Sequence, residues 1–195
     1  MGDRNQIIFL QRHLPQVSGP ILEIGSKDYG STSTFRDIYP DCPYIGIDME
    51  AGAGVDAVVD MEAGIGPLTE EHFELAVCCS VLEHVAKPWK MAENITRVVA
   101  KGGRLYMSVP WVWRYHPYPD DYFRFSFRGV AALFPDFDWG TPYYSTNVEG
   151  EFIAITEENK GADNKLAQFG PAKNPASAPR KYLPYLMVNM LGVRR

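Results

Sequence analysis

The stretch that decides the fold reads Ile21-Leu22-Glu23-Ile24-Gly25-Ser26-Lys27-Asp28-Tyr29-Gly30, and a second one further along reads Tyr44-Ile45-Gly46-Ile47-Asp48. Each contains an apolar strand with a carboxylate at or near its end, and a glycine turn follows the first. Because glycine has no Cβ, a ligand can approach the backbone of this turn closely. Carboxylates at adjacent strand ends suit a ribose diol and an amino group, so the two stretches predict a nucleoside-cofactor site. The alternative is a loose glycine-rich turn in an ordinary α/β domain.

Apolar segments of strand length alternate with helical segments over most of the chain. Strands are predicted at 20–24, 43–47, 57–60, 73–79 and 104–109, and helices at 4–14, 31–39, 88–100 and 127–134. The buried face of the helix at 88–100 is predicted to consist of Trp89, Ala92, Ile95 and Val99. Two later strands, near 137–145 and 150–156, are predicted to form a hairpin. The pattern predicts an α/β, Rossmann-like, doubly wound and mostly parallel sheet with a C-terminal antiparallel hairpin strand.

Composition and charge limit the class of protein. The chain has 195 residues, of which 46% are hydrophobic and 22% are charged, and this suits a globular domain with a full core. No apolar run reaches the ~18 residues of a membrane span, and the N-terminus lacks the pattern of a secretory signal. The net charge of −5 argues against nucleic acid as a partner. Cys42, Cys78 and Cys79 have no CxxC spacing and predict reduced thiols in a cytoplasmic protein.

The sequence divides into two parts by composition. Residues 1–156 are predicted to form the folded domain, and residues 157–195 a basic connector that ends in an apolar segment. This apolar segment, at 182–191, is too short to span a bilayer. Packing onto the domain is its default interpretation, and contact with a second subunit or with an anionic membrane surface are the alternatives.

Five motifs occur in a fixed order along the chain. They read Leu22-Glu23-Ile24-Gly25, Gly46-Ile47-Asp48, Val59-Asp60-Met61, Cys79-Ser80-Val81-Leu82-Glu83-His84-Val85 and Lys101-Gly102-Gly103. With them the chain resembles the class I S-adenosylmethionine-dependent methyltransferases, and among these the compact group called methyltransferase type 11, over roughly residues 18–156. The resemblance implies S-adenosyl-L-methionine as the cofactor. It also implies an enzyme that transfers a methyl group to a small or medium-sized acceptor.

The resemblance implies a set of cofactor-binding residues as well. They are Glu23, Gly25, Ser26, Asp48, Met49, Asp60, Met61 and Ser80. Asp48 would accept hydrogen bonds from both ribose hydroxyls, and a solvated strand-end acid is the alternative. Asp60 would contact the adenine amino group, and the Met61 N–H would donate to an adenine ring nitrogen. The Ser80 carbonyl would bind the methionine ammonium group. For Asp60 the alternative is an ordinary loop acid.

The glycine turn departs from the Gly-x-Gly-x-Gly pattern that is usual in the family. Lys27 and Tyr29 occupy the second and third glycine positions, and Gly30 is displaced by one. We expect these larger side chains to narrow or reshape the pocket for the methionine end of the cofactor. The altered turn also motivates a second hypothesis, a non-catalytic subunit of the same fold that binds a partner through its aromatic loop and C-terminal tail.

A loop of aromatic and charged residues follows the strand at 104–109. It reads Trp111-Val112-Trp113-Arg114-Tyr115-His116-Pro117-Tyr118-Pro119-Asp120-Asp121-Tyr122-Phe123-Arg124, a composition typical of a pocket wall. His116 is the candidate general base with Asp121 as its orienting partner, and a structural histidine is the alternative. Trp113 and Tyr115 are candidate substrate contacts. Arg124 either binds an acidic group of the substrate or pairs with an acid of the loop.

The acceptor is the least specified part of the prediction. A base in the loop suits a hydroxyl acceptor, so oxygen is the expected methylated atom. Small molecules and lipid- or glycan-linked compounds all fit as acceptors. A homo-oligomer is also compatible with the sequence. Glu83, His84 and His116 could supply three mixed nitrogen and oxygen ligands to a divalent cation. The alternative is that Glu83 and His84 only begin a helix, and no resident metal is predicted.

Overall fold

The computed structural model describes residues 2–30, 34–158, 160 and 185–195. The strands of this part are β1 (Ile21–Ile24), β2 (Tyr44–Asp48), β3 (Ala57–Val58), β4 (Phe73–Cys79), β5 (Val99–Val112), β6 (Phe137–Trp139), β7 (Tyr143–Ser145), β8 (Phe152–Ala154) and β9 (Leu186–Arg194). The α-helices are α1 (Gly2–His13), α2 (Pro88–Val98) and α3 (Phe127–Leu133). Short 3-10 turns span Arg36–Ile38 and Leu82–His84. The predicted helix at 31–39 is thus reduced to one turn, with residues 31–33 outside the described part.

One sheet joins all of these strands. Its order is β3-β2-β1-β4-β5-β9-β7-β8, and β6 pairs with β9 as well. The pairs among β1 to β5 are parallel, whereas β9 is antiparallel to β5, β6 and β7. The predicted α/β, mostly parallel, doubly wound sheet is confirmed. The predicted hairpin exists as the antiparallel pair β7 and β8, but the antiparallel strand beside β5 is β9 instead.

Strand β9 is the main difference from the prediction. The default interpretation from the sequence, an apolar segment that packs onto the domain, did not include a strand, yet β9 pairs with β5 and β7 in the interior of the sheet. Its residues from Leu186 to Met190 are buried, so this part of the apolar segment faces the protein core and not a membrane surface. The connector lies outside the described residues, and the boundary at 156 stays a prediction.

Apolar residues on the two faces of the sheet form two cores. Because successive strand residues point to opposite faces, β4 sends Leu75 and Val77 towards α1 and sends Cys78 towards α2 and α3. Each fully buried apolar side chain of this kind contributes about 1.5–3 kcal/mol to folding. The three cysteines are free thiols. No helix in the described part of the chain combines the length and apolar character needed to cross a bilayer.

Three of the four residues predicted for the buried face of helix α2 are buried, namely Ala92, Ile95 and Val99, the last as the first residue of β5. The buried face of α2 includes Met91, Ile95 and Val98, spaced at four and three residues, whereas Trp89 is 49% exposed. At about 100° per residue, Trp89 lies roughly 120° around the helix from Ile95, outside the buried face. The prediction for Trp89 was therefore wrong.

The order of the strands creates a crevice. From β1 the chain continues to β2 and β3 on one side of the sheet, and it then returns to β4 on the other side of β1. The carboxyl ends of β1 and β4 consequently flank the point where the strand order reverses, which is where open α/β sheets bind ligands.

Candidate active site

A cavity of about 720 Å³ opens at this crevice. Its walls contain all the residues predicted to bind the cofactor, namely Glu23, Gly25, Ser26, Asp48, Met49, Asp60, Met61 and Ser80. The volume lies within the 300–1,000 Å³ that is usual for small-molecule sites. The structure therefore brings together side chains from four strand ends at one cavity.

The turn after β1 is shaped by Gly25. Its backbone N–H and that of Ser26 both donate to the Ile47 carbonyl, at 2.8 and 3.0 Å. Gly25 has φ +78°, and a Cβ there would lie 2.2 Å from Val81 Cγ2. The position thus requires glycine for its backbone conformation and for close packing. The Ser26 hydroxyl is buried and has no hydrogen-bond partner among the described residues.

The larger residues of the turn leave the cavity open. Lys27 Nζ lies 2.7 Å from Glu50 Oε2 at the cavity wall. Tyr29 is 54% exposed, and its ring meets that of Tyr118 edge-on with 5.5 Å between centroids. The two tyrosines come from opposite sides of the cavity, since one follows β1 and the other lies in the loop after β5. They reshape its rim without closing it.

Asp48 ends β2 with spare hydrogen-bonding capacity. One carboxylate oxygen accepts from the Glu50 N–H at 3.1 Å, and the other lies 3.4 Å from the Lys27 N–H. A carboxylate has about four acceptor sites, so at least one on each oxygen stays free for a ligand hydroxyl. The backbone contacts hold the carboxylate in place before any ligand arrives.

Glu23 is held by the neighbouring strand. Its Oε2 accepts a hydrogen bond of 2.5 Å from the Tyr44 hydroxyl. Burial raises the pKa of Glu23, and the Tyr44 hydrogen bond opposes this shift. Glu23 also lines the cavity, so it combines a structural contact with access to a ligand.

Asp60 and Met61 follow β3 and are fixed by local contacts. Asp60 Oδ1 accepts from the Glu62 N–H at 2.8 Å, and Asn94 of α2 donates to the Met61 carbonyl at 2.9 Å. The sequence analysis did not identify Asn94. Asn94 could have been noticed in the sequence as a polar residue on the apolar face of α2, where it is buried.

Ser80 ends β4 in a strained backbone conformation. Its φ is +55°, which is uncommon for a residue with a Cβ and often marks a functional turn. The Ser80 hydroxyl accepts from Gln6 Nε2 at 3.1 Å, and the same nitrogen donates to Ser108 Oγ at 3.2 Å. Gln6 is buried and lines the cavity. Sequence reasoning missed it, although a polar residue beside the apolar Ile7 in a lead-in helix was a signal.

The loop after β5 supplies the rest of the wall. Trp113 and His116 line the cavity, but Tyr115 does not and is 67% exposed. The loop is tied to the 3-10 turn after β4, because the Glu83 carbonyl accepts the N–H groups of Tyr122 and Phe123 at 2.8 and 3.2 Å. The structure therefore places two of these three predicted residues at the cavity.

Asp121 and Arg124 order this loop from behind. The Arg124 guanidinium binds both oxygens of Asp121 and also donates to the Trp113 and Arg114 carbonyls. Neither residue lines the cavity. Of the two roles weighed for Arg124, the structure contains the pairing with an acid of the loop. Asp121 also accepts the His116 backbone N–H at 2.8 Å, and its Oδ2 is 3.3 Å from His116 Nδ1.

Glu83 lies beside His84 and His116 at the cavity wall. Its side chain is fully buried, and neither carboxylate oxygen has a hydrogen-bond partner in the part of the chain that the structure describes. Burial raises the pKa of Glu83 to about 8 and lowers the pKa of His84. Glu83 and His84 belong to a single 3-10 turn, so the predicted helix start is a much shorter element.

Comparison with known proteins agrees with this architecture. A family model described as a methyltransferase domain matches residues 24–107, which run from the end of β1 into β5. The matched segment contains the strands and turns that form most of the cavity. The chain has the class I methyltransferase fold. The resemblance and the fold class predicted from the motifs are confirmed.

Solved structures with the same methyltransferase fold include three of different origin. A phosphoethanolamine N-methyltransferase of Haemonchus contortus, in complex with phosphomonomethylethanolamine and S-adenosylhomocysteine, has TM-score 0.63 and 16% identity over 97% of this chain and 52% of its own. A Burkholderia thailandensis 1,6-didemethyltoxoflavin N1-methyltransferase, with bound 1,6-didemethyltoxoflavin and S-adenosylhomocysteine, has TM-score 0.61 and 14% identity. The comparison covers 97% of this chain and 76% of the Burkholderia chain. The YcgJ protein of Bacillus subtilis has TM-score 0.60 and 14% identity over 98% of both chains.

These identities show the methyltransferase fold and leave the acceptor undetermined. The present chain spans about half the length of the Haemonchus enzyme. No match was found among curated proteins.

Proposed function

We propose that the chain is an S-adenosylmethionine-dependent methyltransferase that methylates an oxygen atom of a small or medium-sized molecule. The main support for S-adenosylmethionine as the methyl donor is the cavity at the carboxyl ends of β1 to β4. Its walls contain all eight residues of the predicted cofactor set. S-adenosylmethionine, when bound, supplies a methyl group on a positively charged sulfur. The remaining work falls to the protein, which must hold the acceptor in line with that group.

The cavity walls fit the parts of this cofactor. Asp48 has free acceptor sites for a ribose diol, and the buried Ser26 hydroxyl has an unused hydrogen-bonding capacity. Gly25 lets the turn adopt its left-handed conformation and pack closely against Val81. Glu23 and Ser80 add polar oxygens on the same rim. These features support binding of an adenosyl amino acid and carry no information on the acceptor.

The support for a hydroxyl group as the methyl acceptor comes from the loop after β5. His116 lines the cavity, and its Nδ1 lies 3.0 Å from the Arg114 carbonyl, so the Nε2 lone pair is directed elsewhere. A free lone pair at a cavity suits a base that accepts the proton of a hydroxyl. Asp121 positions His116 through its backbone, and Trp113 offers an aromatic surface to the acceptor. Tyr115 and Arg124 stay predictions as substrate contacts.

The acceptor class that we propose is a small molecule, with lipid- or glycan-linked compounds as further members. A cytoplasmic location and a homo-oligomer are compatible with this proposal and stay predictions. The alternative function, a non-catalytic subunit that holds a partner, is favoured by the exposed aromatic side chains of the loop, of which Tyr118 and Tyr122 are 57% and 49% exposed.

The test is a transfer experiment with methyl-labelled S-adenosylmethionine. The purified chain is incubated with fractions of a small-molecule extract, and the labelled product is identified by mass spectrometry and by the stability of its methyl group to acid. We expect label in a product with a new oxygen-bound methyl group. Binding of the cofactor without transfer to any fraction would support the non-catalytic alternative, and a nitrogen-bound methyl group would correct the acceptor atom.

A further inference from the structure

Three side chains converge on one point of the cavity wall, and the proposed methyl transfer leaves two of them unexplained. Glu83 Oε1 lies 3.8 Å from His84 Nε2 and 3.9 Å from His116 Nε2. One ligand atom of each residue lies within 4.8 Å of those of the other two. Glu83 and His84 come from the turn after β4 and His116 from the loop after β5, so tertiary structure assembles the cluster.

Hydrogen bonds fix the orientation of both imidazole rings. His84 Nδ1 lies 2.6 Å from the Asp120 carbonyl, and His116 Nδ1 lies 3.0 Å from the Arg114 carbonyl. A carbonyl oxygen only accepts hydrogen bonds, so each Nδ1 must carry a hydrogen. In the neutral rings the lone pair is then on Nε2, the atom that faces Glu83. Metal-binding histidines are oriented by this kind of contact in other proteins.

When Glu83 is ionised, the cluster contains three acceptors and no donor. Glu83 is fully buried, and both of its oxygens are without a hydrogen-bond partner among the residues described. Burying a polar group without a partner costs about 1–3 kcal/mol, and more for a charged group. A cation placed between the three atoms would remove this cost, because it interacts favourably with a carboxylate and with two nitrogen lone pairs.

We propose that Glu83, His84 and His116 bind a divalent transition-metal ion of the zinc type through one carboxylate oxygen and two Nε2 atoms. Imidazole nitrogens with a single carboxylate are a usual ligand set for such ions. Three protein ligands leave coordination positions open, and all three residues line the cavity. A ligand in the cavity can therefore complete the coordination, as in catalytic zinc sites.

The distances favour a metal ion over a ligand ammonium group. With bonds of about 2.0–2.1 Å, the ligand atoms of a tetrahedral zinc site are roughly 3.3 Å apart. Three acceptors around one ammonium nitrogen, at hydrogen-bond distances of about 2.8 Å, would be roughly 4.6 Å apart. The two separations from Glu83, 3.8 and 3.9 Å, are nearer to the first value, and the two histidine ligand atoms lie within 4.8 Å of each other.

The site has a consequence for the acceptor, which rests on the proposed methyl transfer. A hydroxyl oxygen bound to a divalent cation has a lowered pKa, so it loses its proton more readily. His116 would then act as a ligand, and activation of the hydroxyl would pass from its lone pair to the cation.

The test uses the full chain without a polyhistidine tag, freed of metal by a chelator. Zn²⁺ binding is measured by calorimetry, and Co²⁺ binding by its visible absorption, which intensifies when the coordination number falls below six. We expect one Zn²⁺ per chain and a rise in melting temperature. Glu83→Gln and His116→Gln should each weaken Zn²⁺ binding about 100-fold, the loss of a direct ligand being at least as costly as the 10–100-fold of an indirect contact.

The matched control is His72→Gln, because His72 is exposed and does not line the cavity. We expect this variant to bind Zn²⁺ like the unaltered chain. Glu83→Gln should fold, since its amide can donate to the Nε2 lone pairs, and it should lose the Zn²⁺-induced rise in melting temperature. Failure of the unaltered chain to bind Zn²⁺, or an equal loss in His72→Gln, would overturn the proposal.

Binding of S-adenosylhomocysteine is measured on the same metal-free protein. Retained binding without any Zn²⁺ site would reject the metal site alone. Zn²⁺ binding without S-adenosylhomocysteine binding would support the metal site and reject the proposed function.

Discussion

At the scale of single residues, Asp121 determines the conformation of the loop that carries His116. The Arg124 guanidinium, which binds both oxygens of Asp121, holds the pKa of that carboxyl well below its usual range. The carboxylate also fixes the His116 backbone. One acidic side chain thus connects the order of the loop to the position of the candidate base.

We predict that Asp121→Asn lowers the free energy of unfolding by about 2 kcal/mol at neutral pH, the range for hydrogen bonds to charged groups. Since the folded-state pKa lies below the unfolded value of about 3.9, this stabilisation is present above that value. It is lost as pH falls towards the folded-state pKa. Denaturant titrations at neutral and acidic pH measure both effects.

Asp120→Asn is the control for this prediction. Asp120 is exposed, and its carboxylate accepts a hydrogen bond of 3.1 Å from the Tyr122 hydroxyl within the same loop. We expect a change within about 0.5 kcal/mol. Equal effects of the two substitutions would show that Asp121 does not order the loop.

Gly25 is the residue on which the shape of the cofactor turn depends. We predict that Gly25→Ala lowers the free energy of unfolding by at least about 2 kcal/mol, because a left-handed conformation costs a residue with a Cβ roughly 1–2 kcal/mol and the Cβ would overlap Val81. Gly64→Ala is the matched control, since its Cβ would meet no atom within 4 Å. Thermal and denaturant unfolding of the two variants check the prediction, and similar stabilities would contradict it.

At the scale of elements, sequence patterns identified those whose signal is local. Strand β4 was predicted with its observed bounds, 73–79, because a continuous apolar run is typical of a buried parallel strand. Strand β9 was interpreted only as an apolar segment. Its partners, β5 and β7, lie far away in sequence, and no local pattern states which strands pair. Trp89 was misassigned for a similar reason, since the packing of α2 against the rest of the protein determines which of its side chains are buried.

Strand β9 gives a prediction at this scale. Val188 is fully buried between β5 and β7, whereas Val193 of the same strand is 43% exposed. We predict that Val188→Ala lowers the free energy of unfolding by about 2 kcal/mol and Val193→Ala by much less. Denaturant unfolding measures both. Equal and small effects would mean that burial of Val188 in β9 does not stabilise the sheet.

At the scale of the whole molecule, the site is a product of strand order. The cofactor residues were predictable because each lies near the carboxyl end of a strand or shortly after it, and because parallel strands share one carboxyl edge. The contacts of Gln6 were not predictable, since they depend on how α1 packs against the sheet. Glu83, His84 and His116 were considered together from the sequence as possible metal ligands, and the structure adds the distances between them.

The central claim is that the carboxyl edge of the sheet binds the adenosyl group through Asp48. The most direct measurement is the affinity of S-adenosylhomocysteine by calorimetry for the unaltered chain, for Asp48→Ala and for Asp41→Ala, an exposed acid that does not line the cavity. We predict one site per chain, affinity weakened roughly 30–150-fold by Asp48→Ala from the loss of about 2–3 kcal/mol, and no change with Asp41→Ala. Absence of binding by the unaltered chain, or equal affinity in all three proteins, would contradict the claim.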